Sequence, residues 1–434
     1  MPLLQPGQED SPHAFFFDDW LIAGSARLAG LAEHIFKQLK PSLIEPGRRH
    51  RADAEDRQFL CVATMVANLA LVTLSPARYN GLAVPLENAK LTRYDRKAYS
   101  TDVLRLVIEG AKIAGIVTVE EAIFRERRTV VAATPLFTQL ATQFGIERSD
   151  IERVNGRETI ELWQRTAEGK HKQLIDFRDS EKTERLRSEM IAINAALNAA
   201  DIRFDGRQVE PIHLVRKFST EHSADGYEFH RHGRLYNGFW EDLRKEDRYL
   251  LSIGGEPIAD LDFAAMFIRL AYCRQGVEPP PGDLYAIPGF EDYRPAVKRL
   301  MVSLFFRNSP ARRLPADTKD TLPEDWTMDR FKAAALSFHP DIVPLFDTNV
   351  GFELMAMESD ILVGILLELG SMGIAALPMH DGIMVPQSRK DVAMETMRAV
   401  SQIKTGHALK VAEKEIHNQK PLNSPLWSIR ATSV

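Results

Sequence analysis

The sequence predicts an α+β fold, with a mainly helical N-terminal domain ahead of a body in which antiparallel strands alternate with helices. Three observations predict it. Apolar residues recur at helical spacing in 59–74, 100–113 and 180–200. Two segments read as strand–turn–strand: ETIELWQRT (158–166) with HKQLIDF (171–177), and ALPMHDGIMVP (376–386). A third segment, IADLDF (258–263), alternates with a period of two and then passes straight into the helical pattern of 264–272.

At 434 residues the chain has length for two or three domains, since ~100–200 residues per domain is usual. Hydrophobic residues make up 44% and charged residues 26%, an ordinary globular composition. The net charge of −5 means that a polyanion must be met by a local basic surface rather than by the whole molecule. Cys61 and Cys273 stand outside any CxxC or Cys/His cluster. They therefore imply neither a zinc site nor a disulfide framework, and predict a reducing, cytoplasmic compartment. The N-terminal segment has no basic stretch and no cleavage site of a secretory signal. FLCVATMVANLALVTL (59–74) is interrupted by Thr64, Asn68 and Thr73 and is expected to be a buried core helix rather than a membrane span.

The first domain is expected over 1–150. Within it, a helix capped by Ser100 or Thr101, the strand IVTV, the basic turn EEAIFRERR (120–128) and a β-branched strand trace a winged helix over 95–135. Its wing would carry Arg125, Arg127 and Arg128. A solvated hairpin in a small α/β layer accounts for the same pattern and is favoured. Residues 151–228 hold the first hairpin and a helix with Ser180 as cap and Leu186, Met190, Ile193 and Leu197 on its apolar face. Motif density rises after them, so 229–434 reads as a further unit.

That last unit carries the chemistry. Asp381 sits at the tip of an otherwise apolar hairpin, where a buried carboxylate requires a donor, a cation or a metal. Asp262 ends a strand that feeds a helix, with Asp260 on the same strand face. Two aspartates on adjacent strands can hold two divalent cations about 4 Å apart, one activating a hydroxyl and one stabilising a leaving pyrophosphate. Mg²⁺ suits such a site, with few carboxylates and the remaining positions filled by water and substrate phosphate. Between the aspartates lies RPAVKRLMVSLFFRNSPARR (294–313), with six basic residues and no acidic one. Arg294, Lys298, Val302 and Phe306 form one helical stripe, cationic at the N-terminal end and aromatic at the other. A nucleoside triphosphate has the same polarity.

In that order and spacing, these segments resemble the motifs of the polymerase I (family A) DNA polymerases and of the single-subunit phage and mitochondrial RNA polymerases. Asp262 to Arg269 is similar to motif A, Asp-Tyr-Ser-x-x-Glu-x-Arg. Arg294, Lys298, Val302 and Phe306 match the four-residue spacing of motif B. His380-Asp381-Gly382 resembles motif C, and Gly233-Arg234-Leu235 the Gly-Arg-Leu ahead of the palm. The resemblance covers roughly 229–400 and implies a right-hand polymerase: a palm with an antiparallel sheet, helical fingers, and 151–228 as a reduced thumb. It carries no sign of a proofreading exonuclease in 1–228.

Carried over residue by residue, the resemblance implies two Mg²⁺ ions, replaceable by Mn²⁺, held by Asp262, Asp381 and the backbone carbonyl of Phe263. Arg294 and Lys298 would bind the triphosphate, with Lys298 also protonating the pyrophosphate. Phe306 would stack at the nascent base pair, and Arg234, Arg269 and His380 would touch the primer–template. The implied partners are a DNA primer–template and dNTPs, with no membrane and no assigned protein partner. Where the DNA enzymes have Glu in motif A and Tyr in motif B, this chain has Phe267 and Phe306. A bulky apolar Phe267 excludes a ribose 2′-hydroxyl by size and by offering it no hydrogen bond. Lys298-Arg299 with Val302, and Gly382 in place of an acid, lean toward the RNA enzymes. The expectation is a DNA polymerase. The alternatives are a single-subunit RNA polymerase or primase-like enzyme, and an inactive polymerase-like DNA-binding protein. Glu358, inside MAMESDILVGILLELG, reads either as support for the metal site or a fingers–palm contact, or as a solvated surface acid, and the solvated reading is favoured.

Overall fold

The computed structural model describes residues 13–43, 53–75, 79–86, 92–97, 99–123, 128–165, 172–209, 211–220, 229–310, 312–315, 322–323 and 326–416. They form two compact units, one of Met1–Asn194 with Arg207–Arg216 and one of Ala195–Gly206 with Lys217–Val434. The fold is a mixture of sheets and helices, in keeping with the predicted class.

In the first unit, strands β1 (His13–Phe16), β2 (Leu21–Ala23), β3 (Tyr79–Val84), β4 (Val117–Glu120), β5 (Thr129–Ala133) and β6 (Ile151–Arg153) accompany helices α1 (Ala26–Leu39), α2 (Ala54–Leu74), α3 (Thr101–Ile113) and α4 (Pro135–Gln143). Four strands make a sheet in the order β1-β3-β5-β4, parallel at β1–β3 and antiparallel elsewhere. The helices bury their apolar stripes together, and Cys61–Leu71 of α2 is closed off from water throughout. By length and composition alone α2 would cross a bilayer. Its Asn68 instead bonds the Asp18 backbone in both directions and the Thr64 carbonyl, so its amide is satisfied inside a protein core. Ser100 caps α3 as expected, accepting from the Val103 N–H. The β4–β5 pair from the predicted wing belongs to the four-stranded sheet. Arg128 is exposed over the Phe16 ring, while Arg125 and Arg127 lie outside the described residues.

Strands β7 (Ile160–Arg165) and β8 (Lys172–Ile175) form the hairpin expected at 158–177, followed by α5 (Glu181–Ala199). Ser180 and Thr183 cap α5 reciprocally, and Leu186, Met190, Ile193 and Leu197 are buried. Hairpin and helix are tied through Arg93, which stacks 3.8 Å from the Phe177 ring and pairs with Asp176, Asp179 and Glu158. Arg187 of α5 pairs with the same Glu158 and Asp179. The segment expected as a separate thumb-like piece is thus divided, its hairpin and most of α5 belonging to the first unit.

Beyond α5 come β9 (Ile202–Phe204), β10 (Arg207–Gln208), β11 (Val215–Thr220), β12 (His232–Tyr236), β13 (Leu251–Ile253), β14 (Glu256–Phe263), β15 (Leu377–Met379), β16 (Gly382–Pro386) and β17 (Val411–Lys414). The helices are α6 (Met266–Gln275), α7 (Arg294–Phe305), α8 (Met328–Phe338), α9 (Gly351–Ser371) and α10 (Lys390–Thr405). In the second unit the sheet runs β9-β13-β14-β16-β15. β13 pairs with the first two residues of β14 and β17 with its last four, both antiparallel. β14 is therefore a central strand, and its alternate residues Ala259, Leu261 and Phe263 are buried. Helix α9 packs against α6, α10 and β12.

Candidate active site

The sheet register brings the two sequence-predicted aspartates together. β14 and β16 are antiparallel with Asp262 opposite Gly382, so the last carboxylate of β14 meets the residue that follows Asp381. The β15–β16 hairpin closes through a two-residue loop, His380-Asp381, with Met379 paired to Gly382. His380 holds φ 56°, a left-handed conformation unusual for a residue with a Cβ. At the other strand end, Ala265 (φ 53°) turns β14 into α6, and the Arg269 Nε pins that turn by donating to the Ala264 carbonyl at 2.8 Å. The Phe263 N–H donates to the Asp381 carbonyl at 3.4 Å. The register thus places the two carboxyl groups close enough to feel each other's charge.

Two like charges so placed in a poorly hydrated site resist ionisation. Burial first, and the Asp381 charge second, push Asp262 up to about 6. Burial and then the charge of Glu358 raise Asp381. Asp262 Oδ2 takes the Lys414 ammonium at 2.5 Å, whereas Oδ1 is sealed from water and receives no donor. A buried carboxylate oxygen without a donor is costly unless positive charge or a donor reaches it. Among the described residues no cluster of three or more acids, histidines or cysteines surrounds it. Gly382 leaves no room for one, because a Cβ there would overlap the Leu261 carbonyl oxygen and lie 3.2 Å from Asp262 Oδ1. Strand contact therefore excludes a side chain at position 382.

Glu358 corrects the sequence expectation. It is 1% exposed in the middle of α9, and Arg234 of β12 grips it with Nε–Oε1 2.6 Å and Nη2–Oε2 3.1 Å. Burial raises the Glu358 pKa, and the guanidinium works against that rise. Arg234 also faces Asp381 electrostatically and lies 5.7 Å from the Phe267 ring. Phe267 meets Phe306 with centroids 5.6 Å apart, and Phe306 meets Phe352 edge-on at 5.2 Å. Gly351 lies under the Phe306 ring, so close that a Cβ would collide with it. His380 is exposed at the hairpin tip, yet the protein crowded around its ring, and then the charge of Arg234, lower its pKa to about 4.

The basic helix has the predicted faces. Val297, Leu300, Met301, Leu304 and Phe305 of α7 are buried, while Arg294 and Lys298 are exposed and Val302 and Phe306 half-exposed. Lys298 makes no hydrogen bond or ion pair among the described residues. Arg294 is held by Asp283 (Nε–Oδ2 2.5 Å, Nη2–Oδ1 3.1 Å) and lies 5.3 Å from the Tyr285 ring, which in turn feels the Asp381 charge. Sequence reasoning missed Lys414, Asp283, Tyr285 and the true setting of Glu358. Only Glu358 gave a signal, as an acid next to Ser359 and Asp360 in a segment whose other residues are mostly apolar.

No family model matches the chain, and no curated protein matches it. Among solved structures it is similar to the POL domain of Pol1 from M. smegmatis in complex with DNA primer-template and dNTP, at 10% identity and a TM-score of 0.32. The alignment covers 91% of this chain, which spans 66% of that structure's length. A likeness of that degree settles neither fold family nor activity, and the functional reading stands on the site itself.

Proposed function

We propose that the chain is a template-directed nucleotidyltransferase, a DNA polymerase that adds dNMPs to a primer 3′-hydroxyl by a two-metal mechanism. The observation that carries the reading is the Asp262–Asp381 pair, brought together by the β14–β16 register, with one buried Asp262 oxygen that receives no donor. The donor set fits Mg²⁺ or Mn²⁺: two carboxylates, with the Phe263 carbonyl as the third protein ligand and the remaining positions left to water and phosphate. When bound, such a pair of ions would acidify the attacking hydroxyl and neutralise charge on the departing pyrophosphate.

The other roles belong to the chain's own side chains. Asp262 and Asp381 fix the site's charge. Lys298, exposed and unpaired among the described residues, binds the triphosphate and gives its proton to the leaving group. Arg294 binds the β/γ end after exchanging Asp283 for phosphate. Phe306 stacks on the incoming base. Phe267, packed on Phe306, presents a ring edge where a ribose 2′-hydroxyl would need room and a partner. Arg234 and His380, with Arg269 bracing the turn, face the primer–template. Within this reading β14–β17 form the palm and α7 the fingers helix, while the thumb expected at 151–228 is not carried over, because its hairpin and most of α5 belong to the first unit.

Primer extension with all eight nucleotides tests the proposal. With Mg²⁺, a primed DNA template and dNTPs, elongation is expected, and rNTP use should be at least ~100-fold weaker on the size-and-polarity argument. Comparable use of rNTPs, or synthesis without a primer, would replace the DNA reading by the RNA polymerase or primase one. No incorporation of either set would leave a non-catalytic nucleic-acid-binding protein.

A further inference from the structure

Asp260 and Asp262 share one face of β14, and β17 runs antiparallel beside them with Lys414 directly opposite Asp260. The direct pairing is not the one made. Asp260 is held by Arg248 (Nη1–Oδ2 3.4 Å), and Lys414 reaches one diagonal step further, placing Nζ 2.5 Å from Asp262 Oδ2. The Lys414 side chain is 38% exposed and the Asp262 side chain 19%, so the ammonium approaches the carboxylate from the solvent side. Asp262 thus has one oxygen on an internal cation and one, Oδ1, buried without a donor. The lysine stands where a divalent cation bound to that carboxylate would compete for the same negative charge.

We infer that Lys414 is the resident cation of the Asp262–Asp381 pair, neutralising it in the metal-free protein and giving way when a divalent ion binds, so that metal loading is an exchange of cations. The inference rests on the two-metal reading above. It follows from charge bookkeeping: two carboxylates in reach of each other, raised by burial, need a counter-charge before any ion arrives. A long, flexible, half-solvated lysine can supply that charge and withdraw, which a buried arginine fork cannot.

Calorimetric and paramagnetic titration of the whole chain with Mn²⁺ alone, without nucleic acid or nucleotide, tests it. Lys414→Met is expected to bind Mn²⁺ about 10-fold more tightly than the parent, because the competing charge is gone. Its metal-free melting temperature should fall below the parent's, and saturating Mn²⁺ should close that gap. Lys414→Gln, which keeps a polar stem, should give the same tightening and carries the test if methionine is not tolerated at the strand end. Unchanged or weaker Mn²⁺ affinity in both variants would overturn the role of Lys414 and leave the metal reading standing. Absence of Mn²⁺ binding by parent and variants alike would remove both.

Discussion

Asp381→Asn is expected to cut primer extension by at least ~1000-fold while leaving the protein as stable as the parent or more so. The rate effect follows from the role of the pair: Lewis-acid stabilisation is worth several kcal/mol, and each 1.36 kcal/mol is tenfold in rate. The stability effect runs the other way. Both carboxyls are held above their ordinary values, Asp262 at about 6. A carboxyl raised in the folded state favours folding most at low pH, and that advantage is lost as pH rises through its folded value. At neutral pH the ionised pair is therefore a strain on the fold, and an amide at 381 relieves it. Steady-state extension measured beside a urea midpoint at pH 7.5 checks both halves. Parental extension rates in Asp381→Asn would remove Asp381 from the mechanism. Lost activity together with a lower midpoint would instead mark the residue as structural.

The second large effect is expected at the Arg234–Glu358 pair. Arg234→Met leaves Glu358, which is 1% exposed, without its cation, and breaking a buried pair in this way costs about 3–5 kcal/mol. Glu358→Met strands the guanidinium and should cost a similar amount. The double variant, with matched apolar side chains, should recover most of the loss, because an apolar pair avoids the desolvation of both charges. Chemical denaturation of the four proteins gives the coupling energy directly. Activity should not return in the double variant, since Arg234 also faces Asp381 and the Phe267 ring. Additive losses would show that the bidentate contact contributes little.

The parts of the fold that were legible in the sequence are those written by local periodicity. Ser100 and Ser180 announce α3 and α5, alternation announces β14, and Pro295 with Asn308-Ser309-Pro310 brackets α7. The paired aspartates were readable because each sits where an apolar strand ends, and the matching register of β14 and β16 then brings them together. What escaped was set by tertiary contacts between distant segments. Lys414 reaches Asp262 from a strand that joins the sheet only after α10, and a lysine on an edge strand ordinarily means solvent. Glu358 was read as solvated because single acids in helices usually are, whereas its partner stands 124 residues away. The glycine at 382 was legible in the sequence, but the Leu261 carbonyl that excludes a side chain there was not.

The central claim is that Asp262 and Asp381 share divalent cations at the point of nucleotidyl transfer. Crystals of the protein with primer–template, a non-hydrolysable dNTP and Mn²⁺, examined at the manganese absorption edge, test it most directly. Anomalous peaks are expected within ~2.3 Å of oxygens of both carboxylates and the triphosphate. Manganese bound elsewhere, with the carboxylates still paired to Lys414 and to each other beside an ordered nucleotide, would contradict it.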